Sequence, residues 1–287
     1  MTFHSGEREV QRRAGVAAEA QAVGRGIGHT LTPHVARFLA RQRLAVAASL
    51  DAEGRVWASP LTGPAGFLSA ADPSRLFVAA LPIPGDPLSP NLAQRPELGL
   101  LVIDPQTRQR MRFNGRARLS PDGLNLELQQ VYGNCPKYIQ LREADPDGVA
   151  GPEAPRVSST LDARQRATIG NADTLFIGSF HPEGGADASH RGGFPGFVRV
   201  LGDDRLAFPD YPGNNMFNTL GNLVGHPRAG LLFVDFATGD VLQITARARL
   251  EPGFDVRLDV EEVRETRAAS PLRFRLLEYS PAIPSRS

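Results

Sequence analysis

The chain has 287 residues, 41% hydrophobic and 22% charged, with 32 Lys and Arg against 31 Asp and Glu for a net charge of +1. This is the composition of a folded globular protein; it excludes a disordered chain and one whose overall field would draw it onto nucleic acid or anionic lipid. The one cysteine, Cys135, excludes an intramolecular disulfide framework and a multi-cysteine zinc site.

The N-terminal stretch "MTFHSGEREVQRRAGV" lacks the basic-then-apolar pattern of a signal peptide, and no apolar run approaches the ~18 residues that span a bilayer. The expected address is the cytoplasm, with neither membrane nor nucleic acid as partner. "GEREVQRRAGVAAEAQ" reads as one amphipathic helix covering a barrel edge. "GRGIG" (24–28) has no strand before it and no βαβ unit after it, so it is not a dinucleotide fingerprint. In "TPHVARFLARQR", Thr32 is suited to cap a helix and Pro33 to its first position.

Strand-like runs follow: "LAVAASL", a "DAEG" turn, "RLFVAAL", a short helix in "SPNLAQRP" and "LGLLVID". The stretch 143–159, rich in Pro, Gly, Asp and Ser, reads as a linker. Past it, "LDARQRATIGNA" predicts a helix, "TLFIGSF" a strand, "NMFNTLGNLVGHP" a helix ending before a proline, and "AGLLFVDF" and "VLQITARARL" strands around an "ATGD" turn.

These elements repeat. Shifted by about 130 residues, Leu44–Phe67 lies over Thr174–Phe197, matching Ser49 with Ser179, Ser59 with Ser189 and Gly63 with Gly193. Asn91–Leu119 lies without a gap over Asn222–Leu250, both ending in Arg-Ala-Arg-Leu. Two copies of an antiparallel barrel or sandwich are expected. Residues 1–143 would hold the N-terminal helix, the first barrel and following helices, 144–159 the linker and 160–287 the second barrel.

The order of a strand, "SHRGG", "PGFVRV", "FPDYPGNN", a short helix and "HPRAGLLFVDF" resembles the pyridoxamine 5'-phosphate oxidase-like family of FMN-binding split barrels. The likeness spans most of 173–250, is weaker but collinear over 38–119, and "VYGNCPKYIQ" is similar to a segment of two-copy members. It implies a mainly β fold with short helices, two tandem split β-barrels forming an intramolecular pseudo-dimer, with FMN in a groove between them; a further homodimer is compatible with it. The second copy would carry the phosphate turn.

Backbone N–H groups at a helix start, hydroxyl and amide side chains and an arginine fork suit a dianionic phosphate. "SHRGG" offers Ser189, His190 and Arg191, its glycines allowing close backbone approach. The resemblance assigns phosphate or ribityl contacts to Arg191, Gly193, Asn214, Asn215 and Thr219, and ring-edge contacts to 198–200 and Gln243. Many relatives carry a basic residue after the Gly-Asn of this turn, where this chain has Asn215 and Met216. Either Arg191 or Arg199 compensates, affinity is reduced, or the cofactor differs. For Asn214 and Asn215 the alternative is ordinary turn chemistry.

The first copy has "PIPGDPLSPNL" here, with Asp86 and prolines where donors are wanted, and is expected to bind no phosphate. Lys137, Tyr138, Cys135 and Tyr211 are candidates to face flavin or substrate across the groove. His181, His190 and His226 lack metal-site spacing, so no metal is expected. The resemblance implies an FMN-dependent oxidoreductase acting on a small organic substrate, with NAD(P)H or a reductase as electron source. The alternatives are a flavin-binding sensor or electron-transfer partner without turnover, or a split barrel for haem or a deazaflavin.

Overall fold

The computed structural model describes residues 2–285. Helices α1 (Ser5–Arg13), α2 (Ala17–Gly24) and α3 (Pro33–Leu39) precede strands β1 (Leu44–Leu50), β2 (Val56–Thr62), β3 (Leu68–Asp72) and β4 (Arg75–Val78). Helix α4 (Leu88–Gln94) then leads to β5 (Glu97–Asp104), β6 (Gln109–Ser120) and β7 (Gly123–Gly133). Strands β8 (Leu141–Asp145) and β9 (Arg156–Ser158) and helix α5 (Ala163–Asn171) connect to the second set. That set is β10 (Thr174–His181), β11 (Gly185–Gly192), β12 (Arg199–Val200), β13 (Arg205–Phe208), α6 (Asn218–Gly225), β14 (Arg228–Val234), β15 (Val241–Leu250) and β16 (Val256–Thr266), and β17 (Arg273–Glu278) comes last.

The expected repeat is present strand for strand. The first sheet runs β2-β1-β5-β6-β7-β4-β3 and the second β11-β10-β14-β15-β16-β13-β12, the same order with every member advanced by one repeat. The fold is mainly β, two tandem split barrels with short helices. One hydrogen bond fixes the equivalence of α4 and α6. Asn91 Nδ2 donates to Ser49 Oγ in the first barrel and Asn222 Nδ2 to Ser179 Oγ in the second, both at 2.9 Å.

The run "LAVAASL" is buried along its whole length because it has no solvent face. Ala45 and Ala47 point into the first barrel's core, while Leu44, Val46 and Ala48 join Phe176, Ala188 and Leu232 of the second barrel in a shared core between the two. Small residues let the barrels approach closely. A Cβ at Gly99 on β5 would lie 2.4 Å from the Cα of Asp187 on β11, and one at Gly230 on β14 would lie 2.6 Å from the Cα of Trp57 on β2. The barrels thus form a pseudo-dimer whose two symmetry-related contacts are glycine backbone on strand backbone.

Thr32 caps α3, with Pro33 at its first position, and Asp162 caps α5 with a reciprocal bond from Gln165. Two expectations are corrected. The N-terminal segment is two helices, broken at Gly15 with its left-handed φ of +70°. Helix α1 packs on α6 of the second barrel, where Gln11 Nε2 donates to the carbonyl of Met216. Helix α6 begins at Asn218, several residues after the Gly-Asn-Asn turn, because Asn215 and Phe217 take left-handed φ of 62° and 59° and keep the chain irregular until there. Within the linker-like stretch, β8 pairs with β17 and β9 with β16, so both ends are tied into sheets. Among the described residues, no helix is long and apolar enough to cross a membrane.

Candidate functional site

A groove enclosing about 240 Å³ opens where β6 of the first barrel and the 134–138 turn face β11, the 209–217 turn and the start of α6 of the second. Ser189, His190, Arg191, Asn214, Asn215 and Thr219 line it from the second barrel, as does Tyr211, and Cys135, Lys137 and Tyr138 line it from the connection after the first. Gly193, Arg199 and Gln243 do not. Gly193 spends its N–H on the Asp173 carbonyl, Arg199 is in an exposed pair with Asp255 at 2.9 Å, and Gln243 is buried at the other inter-barrel groove. Val198 is a core residue, 1% exposed.

The first barrel supplies two arginines that sequence reasoning did not identify. Along β6, Arg110, Arg112 and Asn114 share one face by the two-residue period of a strand. The buried Arg112 guanidinium donates to both carboxylate oxygens of Asp187, at 3.2 and 3.1 Å, and to Asn218 Oδ1 at 2.8 Å and Ser189 Oγ. Partly buried Arg110 has no carboxylate among the described residues. It donates to the Cys135 carbonyl through Nε and Nη2, at 3.0 and 2.7 Å, and through Nη1 to His190 Nδ1 at 3.0 Å and the His190 carbonyl at 3.2 Å. Burial, together with the charges of Arg112 and Arg191, lowers its pKa to about 9. Arg191 pairs with Asp210.

Burial and the surrounding arginines, Arg110 foremost, hold His190 well below the usual imidazole pKa, so its ring is neutral. Because an arginine only donates, Nδ1 of His190 is the acceptor and its proton is on Nε2. The groove therefore carries four cations, Arg110, Arg112, Arg191 and Lys137, against two carboxylates, Asp187 and Asp210. Buried Nε atoms of Arg112 and Arg191 and both amide atoms of Asn134 have no hydrogen-bond partner among the described residues. Next to the charged end, Tyr138 and Tyr211 face each other at 5.3 Å between ring centroids, and Tyr138 Oη donates to the Pro212 carbonyl at 2.7 Å. Asn214 does local turn work: its Oδ1 accepts from the Met216 N–H at 3.1 Å.

The pyridoxamine 5'-phosphate oxidase family model matches residues 31–150 and, a second time, 161–285. The chain belongs to this family. Its members typically bind a flavin. No curated protein matches the chain. Among solved structures, HupZ of Group A Streptococcus is similar at 13% identity with a TM-score of 0.30, over 36% of this chain and 94% of that one. A Lactobacillus delbrueckii protein provisionally described as a pyridoxamine 5'-phosphate oxidase is similar at 19% identity with a TM-score of 0.30, over 37% and 95%.

Behind Arg112 and outside the groove lining, α1 brings a carboxyl group against Asn218. Glu7 is 5% exposed, accepts from Asn218 Nδ2 at 2.6 Å, and returns the capping bond to His4 N at 2.9 Å. Burial raises its pKa from 4.5 to about 7. The folded state therefore holds this proton more tightly than the unfolded chain, and unfolding free energy falls as pH rises from about 4.5 to about 7. The expected size is about 3 kcal/mol at 1.36 kcal/mol per pH unit. Urea titrations at pH 5 and pH 8 should show wild type losing stability relative to Glu7→Gln at the higher pH; parallel pH profiles would contradict this role for Glu7.

Proposed function

We propose that this chain is an FMN-dependent oxidoreductase with its cofactor in the groove between β6 of the first barrel and β11 and α6 of the second. The observation that carries the reading is the convergence of Arg110, Arg112 and Arg191 on one polar groove, with Arg110 held only by neutral acceptors. Enclosing a guanidinium without a counter-charge is unfavourable unless an anion joins it, and a phosphate dianion with three acceptor oxygens matches this excess.

Arg110, Arg112 and Arg191, with Ser189, Thr219 and the uncapped start of α6, would hold the phosphate. The basic residue missing after Gly213-Asn214 is replaced in this reading by two arginines from the other barrel, and Arg199 has no part in it. The rings of Tyr138, Tyr211, Phe217 and Phe254 offer flat apolar surface, and the Asn134 amide offers one donor and one acceptor to a polar ring edge. Bound FMN would supply hydride transfer to or from a small organic substrate. Neutral His190, with Nδ1 committed to Arg110, keeps its proton on Nε2 as a hydrogen-bond donor.

The absorption spectrum of the purified protein tests the cofactor, and NAD(P)H consumption by the reconstituted protein tests turnover. Arg191→Ala should weaken FMN binding by roughly tenfold or more, the effect of losing a hydrogen bond to a charged group. Unchanged FMN affinity in Arg191→Ala would remove that residue from the site, and a haem band in place of flavin bands would overturn the cofactor.

A further inference from the structure

The pseudo-dimer symmetry gives the groove a counterpart position at the other inter-barrel contact, and the residues there are different. Aligning the repeats places Ser59 where Ser189 stands, Leu88 where Thr219 stands, and Gln243 of β15 where Arg112 of β6 stands. At the counterpart all three give hydrogen-bond donors to one buried carboxylate. Asp86 Oδ1 accepts from Ser59 Oγ at 2.6 Å and from the Leu88 N–H at 2.7 Å, and Oδ2 accepts from Gln243 Nε2 at 3.0 Å. Asp86 is 4% exposed, Ser59 0% and Gln243 1%. At the position equivalent to Asp86 the second copy has Phe217, which brings no carboxylate.

We propose that this counterpart is an anion-binding position already filled by the chain's own Asp86 carboxylate, so that each chain offers one groove, not two, to an anionic ligand. The change between copies is matched in charge. Facing Asp86 from the other barrel is the neutral amide of Gln243; in the first groove, where Phe217 replaces Asp86, the equivalent residue is Arg112, whose carboxylate partner is Asp187 of β11 instead. A guanidinium opposite Asp86 would form a buried ion pair, whereas an amide donates one bond and leaves the carboxylate satisfied by three neutral donors. Arg264, which donates to the Gly85 carbonyl at 3.3 Å, adds a positive charge on the outer side. The inference does not depend on which anion occupies the other groove.

Its test is chemical rescue, with formate as the probe. Asp86→Gly removes the carboxylate and leaves the Ser59, Leu88 and Gln243 donors facing a space of that size. We expect its Tm to fall by roughly 5 °C or more, and formate, but not chloride at equal ionic strength, to restore at least half of the loss while leaving wild type unchanged. Refolding yield in formate against chloride reads the same effect if the variant is too unstable to melt. Asp86→Asn keeps the shape and an acceptor oxygen, and is expected to fold and to ignore formate. An Asp86→Gly protein that gains nothing specific from formate overturns the proposal, as does a formate response of equal size in Asp86→Asn or wild type.

Discussion

Arg110→Met is expected to weaken FMN binding by roughly 10- to 100-fold while leaving the Tm of the ligand-free protein within about 3 °C of wild type. The two halves of this result have separate causes. Binding suffers because a cation that faces the groove without a carboxylate of its own is replaced by a thioether of similar length. Ligand-free stability does not, because the lost bonds to the Cys135 and His190 carbonyls are offset by no longer desolvating a guanidinium beside Arg112 and Arg191. Fluorescence titration of FMN with parallel thermal melts measures both. A variant that melts far below wild type would make Arg110 a structural residue, and one that binds FMN as well as wild type would take it out of the ligand site.

Asp187→Ala should have the opposite signature. Asp187 is the carboxylate that pairs with Arg112, both are buried, and it also accepts from Asn114 Nδ2 and Tyr132 Oη. Removing it strands a buried guanidinium, which costs about 3–5 kcal/mol in comparable pairs. Most of that loss should return in the double variant Asp187→Ala/Arg112→Met, because what destabilises the single variant is the uncompensated charge. Urea unfolding of the three proteins measures this; a double variant no more stable than Asp187→Ala would show that the pair's contribution comes from packing at the Gly99 contact.

The barrels were legible in the sequence because both copies meet the same local demands. The apolar strands, the paired Ser49–Asn91 and Ser179–Asn222 bonds and the helices before each barrel recur at an offset of about 130 residues. Half of the groove was legible for a related reason: "SHRGG" and "FPDYPGNN" depart from their counterparts in the first copy and concentrate donors and turn residues. The other half was not, because Arg110 and Arg112 belong to a strand of the first barrel and meet those residues only across the barrel interface. The available signal was a substitution between copies, Arg110 and Arg112 against Val241 and Gln243 on the inward face of equivalent strands. Gln243 was misplaced for the same reason: it has the right face of the right strand, but that strand borders the other groove. The packing of α1 on the second barrel is not legible, because an amphipathic pattern shows that a face is buried and says nothing about which surface buries it.

A titration of the purified protein with FMN, following quenching of flavin fluorescence, is expected to saturate at one FMN per chain, with the affinity reduced in Arg110→Met and Arg191→Ala. Absence of saturable binding, or saturation at two FMN per chain, would overturn the assignment of a single flavin groove.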